Sequence, residues 1–349
     1  MLKYLTALWL AALTCPAADA PPVPETVAGF KPKSTIEIRG DYRFITSNGV
    51  PDHQPGAFPN PGNPNTISEQ KYEFRVPLHP KAAETPSIVR GPVLFGVALN
   101  GVPFDPGTAE VWNGNREWRY EALTGGLNLG LDSSNGHVQP GGKYHYHALP
   151  TGMIDRIAVD KQKMVLVGYA ADGFPIYSQY GYTDPNDVKS GVKKMKASFK
   201  IKDGERPAGA PPGKYNGNFA ADWEYVKGLG DLDECNGRVG VTPDYPEGTF
   251  HYYITEDYPF VPRNFKGETD ASFRKNDMGG PGGPGGPGRR GPGFGPPPRG
   301  PDFGLPPPGG VPPSDPPTRE QLLARAKQLS DEAKRLTDEA EKLKEPAPK

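Results

Sequence analysis

The chain has 349 residues, and Gly and Pro together supply about a quarter of them, which excludes a plain helix bundle. Hydrophobic residues are only 35%, yet 16 Tyr, 15 Phe and 4 Trp are too many aromatics for a wholly unfolded chain, so a folded part accompanies a part without a core. Lys and Arg (40) balance Asp and Glu (41) to a net charge of −1, so no global field recruits nucleic acid or an anionic membrane.

The N-terminus predicts an export signal over residues 1–20. Lys3 supplies positive charge, Tyr4 to Thr14 form a short apolar run, and Ala18-Asp19-Ala20 fits a small-residue cleavage site. The mature chain then begins at Pro21 in the periplasm or outside the cell, with envelope association also open. No later stretch offers the roughly 20 apolar residues of a membrane span. Cys15 leaves with the signal, so Cys235 is the one thiol of the mature chain and no intramolecular disulfide can form. Three readings stand for it: a buried inert thiol, which is the favoured one, a metal ligand, or a link to a second chain.

Residues 30–276 hold nearly all the aromatics. Alternating segments such as Thr35-Ile36-Glu37-Ile38 and Tyr72-Glu73-Phe74-Arg75-Val76 predict short strands between Pro, Asn and Gly turns, hence a mainly β, all-β domain. Gly and Pro dominate residues 277–317, which predicts a disordered linker. In residues 318–345, Leu322, Leu329, Leu336 and Leu343 recur every seventh position, with Ala326, Ala333 and Ala340 between them. That pattern predicts an amphipathic or coiled-coil α-helix for self-association or a partner helix, against the alternative of docking on its own domain.

The folded part repeats four blocks in one order. Gly96 to Phe104 parallels Gly168 to Ile176. Trp112-Asn-Gly-Asn115 with Trp118-x-Tyr120 parallels Tyr215-Asn-Gly-Asn218 with Trp223-x-Tyr225. Leu131-Asp-Ser-Ser-Asn-Gly-His-Val138 parallels Leu232-Asp-Glu-Cys-Asn-Gly-Arg-Val239. Pro140 to His147 parallels Pro246 to Tyr253. The expectation is an internally duplicated, pseudo-twofold β-sandwich or barrel-like domain with units over about 91–150 and 165–262. Residues 184–214 are an insertion, in which Lys194 to Lys202 alternates as one half-exposed strand.

The chemistry concentrates at His137-(x)7-His145-x-His147. On a strand, period two sends His145 and His147 to one face and Tyr144 and Tyr146 to the other. Converging imidazoles are the donors that a divalent transition metal such as zinc or copper requires. The repeat adds His251 as the partner of His145. It matches His137 with Arg238, His147 with Tyr253 and Ser134 with Cys235, so one site is expected rather than two, with Arg238 and Tyr253 free to orient a substrate. Asp132 and Asp233 precede Asn-Gly turns, which favours an Asx-turn role over acid/base work. Glu234, unique to the second copy, is the candidate general base. Two other readings of the histidines remain, a hydrogen-bonded polar core and a metal-free ligand surface. No HExxH, CxxC, GxSxG or Walker-type GxxxxGK[ST] motif occurs.

Lys143-Tyr144-His145-Tyr146-His147 resembles the signature of the YHYH-domain proteins. The likeness extends over Ser47 to His53, Phe58 to Asn65, Asn135 to Pro140, Asp172 to Tyr177, Leu232 to Gly237 and Thr249 to Tyr252. The resemblance implies an exported, mainly β domain and leaves the reaction open. It raises His53 to a further possible ligand. Phe250-His251-Tyr252-Tyr253 departs from the full signature. The expectation is an exported metal-binding protein whose single site gathers His137, His145 and His147 with His251 or His53, and which as an enzyme is hydrolytic or redox. The alternative is a non-catalytic envelope or glycan-binding module, gripping polymer with exposed Tyr and Trp and tethered by its helix.

Overall fold

The computed structural model describes residues 21–88 and 93–275; the segments read as export signal, linker and C-terminal helix lie outside them. The first three strands follow from alternation. β1 (Ser34–Arg39), β2 (Tyr42–Ser47) and β3 (Tyr72–Pro77) form an antiparallel sheet in that order. β3 buries Tyr72, Phe74 and Val76 and exposes Glu73 and Arg75, as its sequence predicts. β1 alternates just as well but is exposed throughout, as the edge strand of its sheet among the described residues.

The main sheet has eight strands: β4 (Gly96–Ala98), β5 (Pro103–Phe104), β6 (Gly136–Gln139), β7 (Lys143–Tyr146), β8 (Leu166–Ala170), β9 (Pro175–Tyr177), β10 (Gly237–Gly240) and β11 (Thr249–Tyr253), with one short helix, α1 (Thr151–Ile157), between β7 and β8. Their order across the sheet is β10-β11-β9-β8-β4-β5-β7-β6. That order is mirrored about the central antiparallel pair β4 and β8, where Gly96 faces Ala170, Val97 faces Tyr169 and Ala98 faces Gly168. On either side a hairpin strand pairs antiparallel (β5 on β4, β9 on β8), a parallel pair follows (β7 on β5, β11 on β9), and an antiparallel edge strand closes the half. The outer strands β6 and β10 do not pair with each other, so the sheet is open rather than a closed barrel.

One apolar core joins the two sheets. Ile45, Phe74 and Val76 from the small sheet meet Phe95, Phe104, Tyr144, Tyr146 and Tyr252, and the Phe74 ring lies 4.9 Å from Phe273. Burying Tyr obliges each hydroxyl to find a partner, and these tyrosines therefore carry polar networks into the interior.

The predicted single strand over Lys194 to Lys202 is two strands instead. Val192–Lys194 pairs with Tyr180–Tyr182, and Phe199–Ile201 pairs with Trp223–Tyr225. Between them Met195, Ala197 and Ser198 turn inward, with the Ser198 hydroxyl donating to the Leu232 carbonyl at 2.5 Å. Two different partner strands break what alternation alone reads as continuous.

Candidate metal centre

A tight turn sets the register of the histidine hairpin. Asp132 Oδ1 accepts the backbone N–H groups of Ser134 at 2.9 Å and Gly136 at 3.0 Å, and Asn135 adopts φ 57°. β6 therefore starts at Gly136, and pairing with β7 sets His145 directly opposite His137. Tyr144 and Tyr146 point to the other face and are fully buried. The Tyr144 hydroxyl donates to Asp132 Oδ2 at 2.7 Å, over a Gly136 whose missing Cβ leaves the room: a Cβ there would meet that hydroxyl at 2.3 Å.

On the histidine face three rings converge. His145 Nε2 lies 3.0 Å from His147 Nε2, which lies 3.1 Å from His137 Nε2. His137 donates its Nδ1–H to the Leu129 carbonyl at 2.9 Å and His145 donates its own to the Lys143 carbonyl at 3.2 Å. In a neutral ring this bond fixes the tautomer that leaves Nε2 bare toward the centre. His145 and His147 are almost completely buried, and His137 is half-exposed at the sheet edge. Burial lowers the His145 pKa to about 4, with the neighbouring His137 adding to the effect and Asp105 opposing it. Burial also holds His147 well below its ordinary range, helped by His145, His137, Arg263 and Lys275. A neutral His147 brings one proton at most, and one proton cannot satisfy two bare lone pairs at once.

This donor set fits a transition-metal ion. Nitrogens bound tetrahedrally at 2.0–2.1 Å stand about 3.3 Å apart, within a few tenths of an ångström of the spacings here. Two of the three ligands already have their second ring nitrogen anchored on a carbonyl, the usual support for a metal-bound imidazole. His147 Nδ1 is buried and has no partner among the described residues. Among the described residues no carboxylate, thiol or fourth imidazole joins the group, so a tetrahedral ion would keep one position free.

Two buried ion pairs stand beside the triad. The parallel pairing of β5 and β7 continues with the Asp105 N–H donating to the Tyr146 carbonyl at 3.0 Å, which carries Asp105 alongside His147 in the strand register. Asp105 is 1% exposed and accepts from Lys275 Nζ at 2.5 Å and Gln139 Nε2 at 3.1 Å; with His145 these residues line a small cavity of about 30 Å³, room for a water molecule. Glu121, also 1% exposed, accepts from Arg263 Nη2 at 2.6 Å, while its Oε1 and Arg263 Nε have no partner among the described residues. Burial pushes the Glu121 carboxyl up and Arg263 pulls it back. Sequence reasoning missed all four residues. Glu121 and Arg263 are 142 positions apart, and no local motif marks such a pair.

The remaining predicted site residues lie elsewhere. His53 is on the tyrosine face, where its Nε2 takes the Tyr146 hydroxyl at 2.7 Å and its Nδ1 lies 3.4 Å from Ser134 Oγ; burial lowers its pKa. His251 donates Nδ1–H to the Thr249 carbonyl at 3.1 Å and accepts from the Tyr253 hydroxyl at 2.8 Å, and burial lowers its pKa to about 4. The expectation that His53 or His251 joins the cluster is therefore corrected: both rings are spent on tyrosines. Arg238, opposite His251 in the β10–β11 register, donates from Nη2 to the Tyr182 carbonyl at 2.6 Å. Asp233 Oδ1 accepts from the N–H groups of Cys235 at 2.9 Å and Gly237 at 3.1 Å, the same turn that Asp132 makes. Cys235 is fully buried and unpaired, and burial pushes its thiol pKa up, the environment of an inert thiol. Glu234 is exposed on the turn before β10, at the far end of the strand order from the triad, and its carbonyl takes Asn264 Nδ2 at 2.7 Å. The structure does not bring this candidate base to the histidines; the buried carboxylates beside them are Asp105 and Glu121.

No curated protein matches the chain, and no solved structure does. The family model described as YHYH protein matches residues 73–267, more than half of the chain, a span that includes the mirrored strands, the three histidines and three of the four flanking residues. The chain therefore belongs to the YHYH protein family.

Proposed function

We propose that the domain is a metal-binding module of an exported protein, and that it takes one divalent transition-metal ion, zinc or copper, at His137, His145 and His147. The observation that carries this reading is the convergence of three Nε2 atoms at 3.0 and 3.1 Å, with two of the rings tautomerically committed to present lone pairs. Bound there, the ion would supply Lewis acidity at a free fourth position, or redox chemistry if it is copper. The chain's own residues would orient the rings through the Leu129 and Lys143 carbonyls and set the charge around them with the Asp105–Lys275 and Glu121–Arg263 ion pairs. Export rests on the residues 1–20 reading.

The rival of a glycan-gripping surface asks for an exposed strip of Tyr and Trp. Among the described residues the exposed large apolar side chains are Val, Ile and Leu, and none is aromatic. This favours the metal reading. The test is metal content of the purified full chain after dialysis against zinc or copper. About one ion per chain is expected for the wild type and for His53→Ala, and none for His145→Ala or His147→Ala. A wild-type chain without stoichiometric metal would end the proposal.

A further inference from the structure

The β10–β11 hairpin repeats the turn, the strand register and the backbone hydrogen bonds of the β6–β7 hairpin, with different side chains at two of three places. Asp132 and Asp233 make the same turn, and Asn135 and Asn236 take the same left-handed backbone at φ 57° and 55°. The N–H of His147 donates to the Asn135 carbonyl at 2.8 Å, and that of Tyr253 to the Asn236 carbonyl at 3.0 Å. His145 and His251 each donate Nδ1–H to the carbonyl two residues back, and each turns Nε2 toward the residue two ahead, at 3.0 Å to His147 and 2.8 Å to the Tyr253 hydroxyl. His137 faces His145 across the first hairpin, and Arg238 faces His251 across the second. The Arg238 guanidinium carbon sits 5.6 Å from the Tyr253 ring centre, while its buried Nε has no partner among the described residues. Gly181 makes room for the larger ring: a Cβ there would meet the Tyr253 hydroxyl at 2.3 Å.

We infer that Arg238 is a built-in cation occupying in the second hairpin the place that the metal takes in the first, and that β10–β11 is a latent metal site closed by Arg238 and Tyr253. The inference rests on the metal reading of the triad. A covalently attached guanidinium supplies positive charge beside a neutral imidazole with no ion to gain or lose, so the second half is complete without metal while the first depends on it.

The experiment measures zinc per chain in the full protein carrying Arg238→His and Tyr253→His together. The expected result is a doubling, from about one zinc to about two, with tetrahedral cobalt(II) absorption doubling in parallel. A folded double variant that still binds one zinc overturns the inference and leaves the triad reading intact. A wild type that binds none overturns the triad reading and this inference with it. If the double variant folds neither with nor without zinc, the reverse exchange decides: His137→Arg should abolish zinc binding and melt above His137→Ala in chelator, and a melting temperature at or below that of His137→Ala overturns the inference.

Discussion

The two halves of the main sheet place a matching hairpin turn and register around opposite solutions to one electrostatic problem. In the β6–β7 half three imidazoles meet with too few protons between them, and two buried ion pairs stand close by. In the β10–β11 half one imidazole, one phenol and one guanidinium occupy the corresponding places: the phenol pairs with the imidazole, and the guanidinium stands by the phenol ring and donates to the Tyr182 carbonyl. The contrast repeats on the other face. Tyr146 takes Asn100 Nδ2 at 3.0 Å and gives its own proton to His53, whereas Tyr252 donates to the Asp172 carboxyl at 2.5 Å and takes the Lys266 N–H at 2.7 Å. A shared frame thus fixes where side chains meet, and a few substitutions decide whether the meeting point is self-sufficient or waits for a ligand.

Metal content breaks this comparison most directly. His147→Ala should abolish metal binding while His251→Ala should leave it at about one ion per chain, although His251→Ala strands the Tyr253 hydroxyl and lowers stability by about 2–3 kcal/mol. Equal loss of metal in both variants would mean that the halves are not functionally distinct. Chelation sharpens the point: amide exchange should accelerate at His137 to Tyr146 and stay unchanged at Arg238 to Tyr253. Uniform acceleration across both hairpins would count against a metal confined to the first.

On the tyrosine face, Tyr252→Phe should cost about 2–3 kcal/mol in urea denaturation, because the buried Asp172 carboxyl keeps the Gly267 N–H but loses its hydroxyl donor. Tyr146→Phe should cost only about 1 kcal/mol, since His53 and Asn100 are uncharged partners. Reversal of that order would sink the charge argument.

Acidity acts on the buried histidines and on the buried Asp172 with opposite signs. His145 and His251 fall from 6.5 to about 4 on folding, so between those values the unfolded chain holds protons that the folded chain does not, and stability rises as pH climbs through the window. Asp172 moves the other way, from 3.8 to about 6 by burial, so its contribution falls over much of the same range. Shifts of this size correspond to about 3 kcal/mol each. With His53 and His147 also lowered, four histidines against the raised carboxyls of Asp172, Glu121 and Asp233 leave a net rise, read as a higher urea midpoint at pH 7 than at pH 4.5 in chelator. Asp172→Asn should steepen the rise, and a flat profile would contradict it. The smallest effect is expected of Glu234→Gln, which should leave metal content unchanged and stability within about 0.5 kcal/mol.

Much of the fold was legible in residue order. Alternation in Tyr72 to Val76 specified both the strand and its buried face, and the Asp-x-x-Asn-Gly turns before His137 and Arg238 marked hairpin starts because only short side-chain acceptors and left-handed Asn make that turn. The spacing His145-x-His147 put two rings on one face by strand period alone. His53 and His251 misled because a histidine carries no mark of its partner: one was claimed by Tyr146 and the other by Tyr253. The four missed residues needed contacts between segments far apart in the chain, and neither Asp105 nor Arg263 has a neighbour in sequence that announces its role.

By itself the sequence determined local geometry: strands, turns, and the face on which each side chain stands, all set by backbone sterics and period-two alternation. Only the tertiary structure decided which histidines share a centre, which carboxylates flank it and which cation neutralises which acid. Those outcomes depend on desolvation and on distances between strands brought together by folding, and neither quantity exists until the sheet has closed over its core.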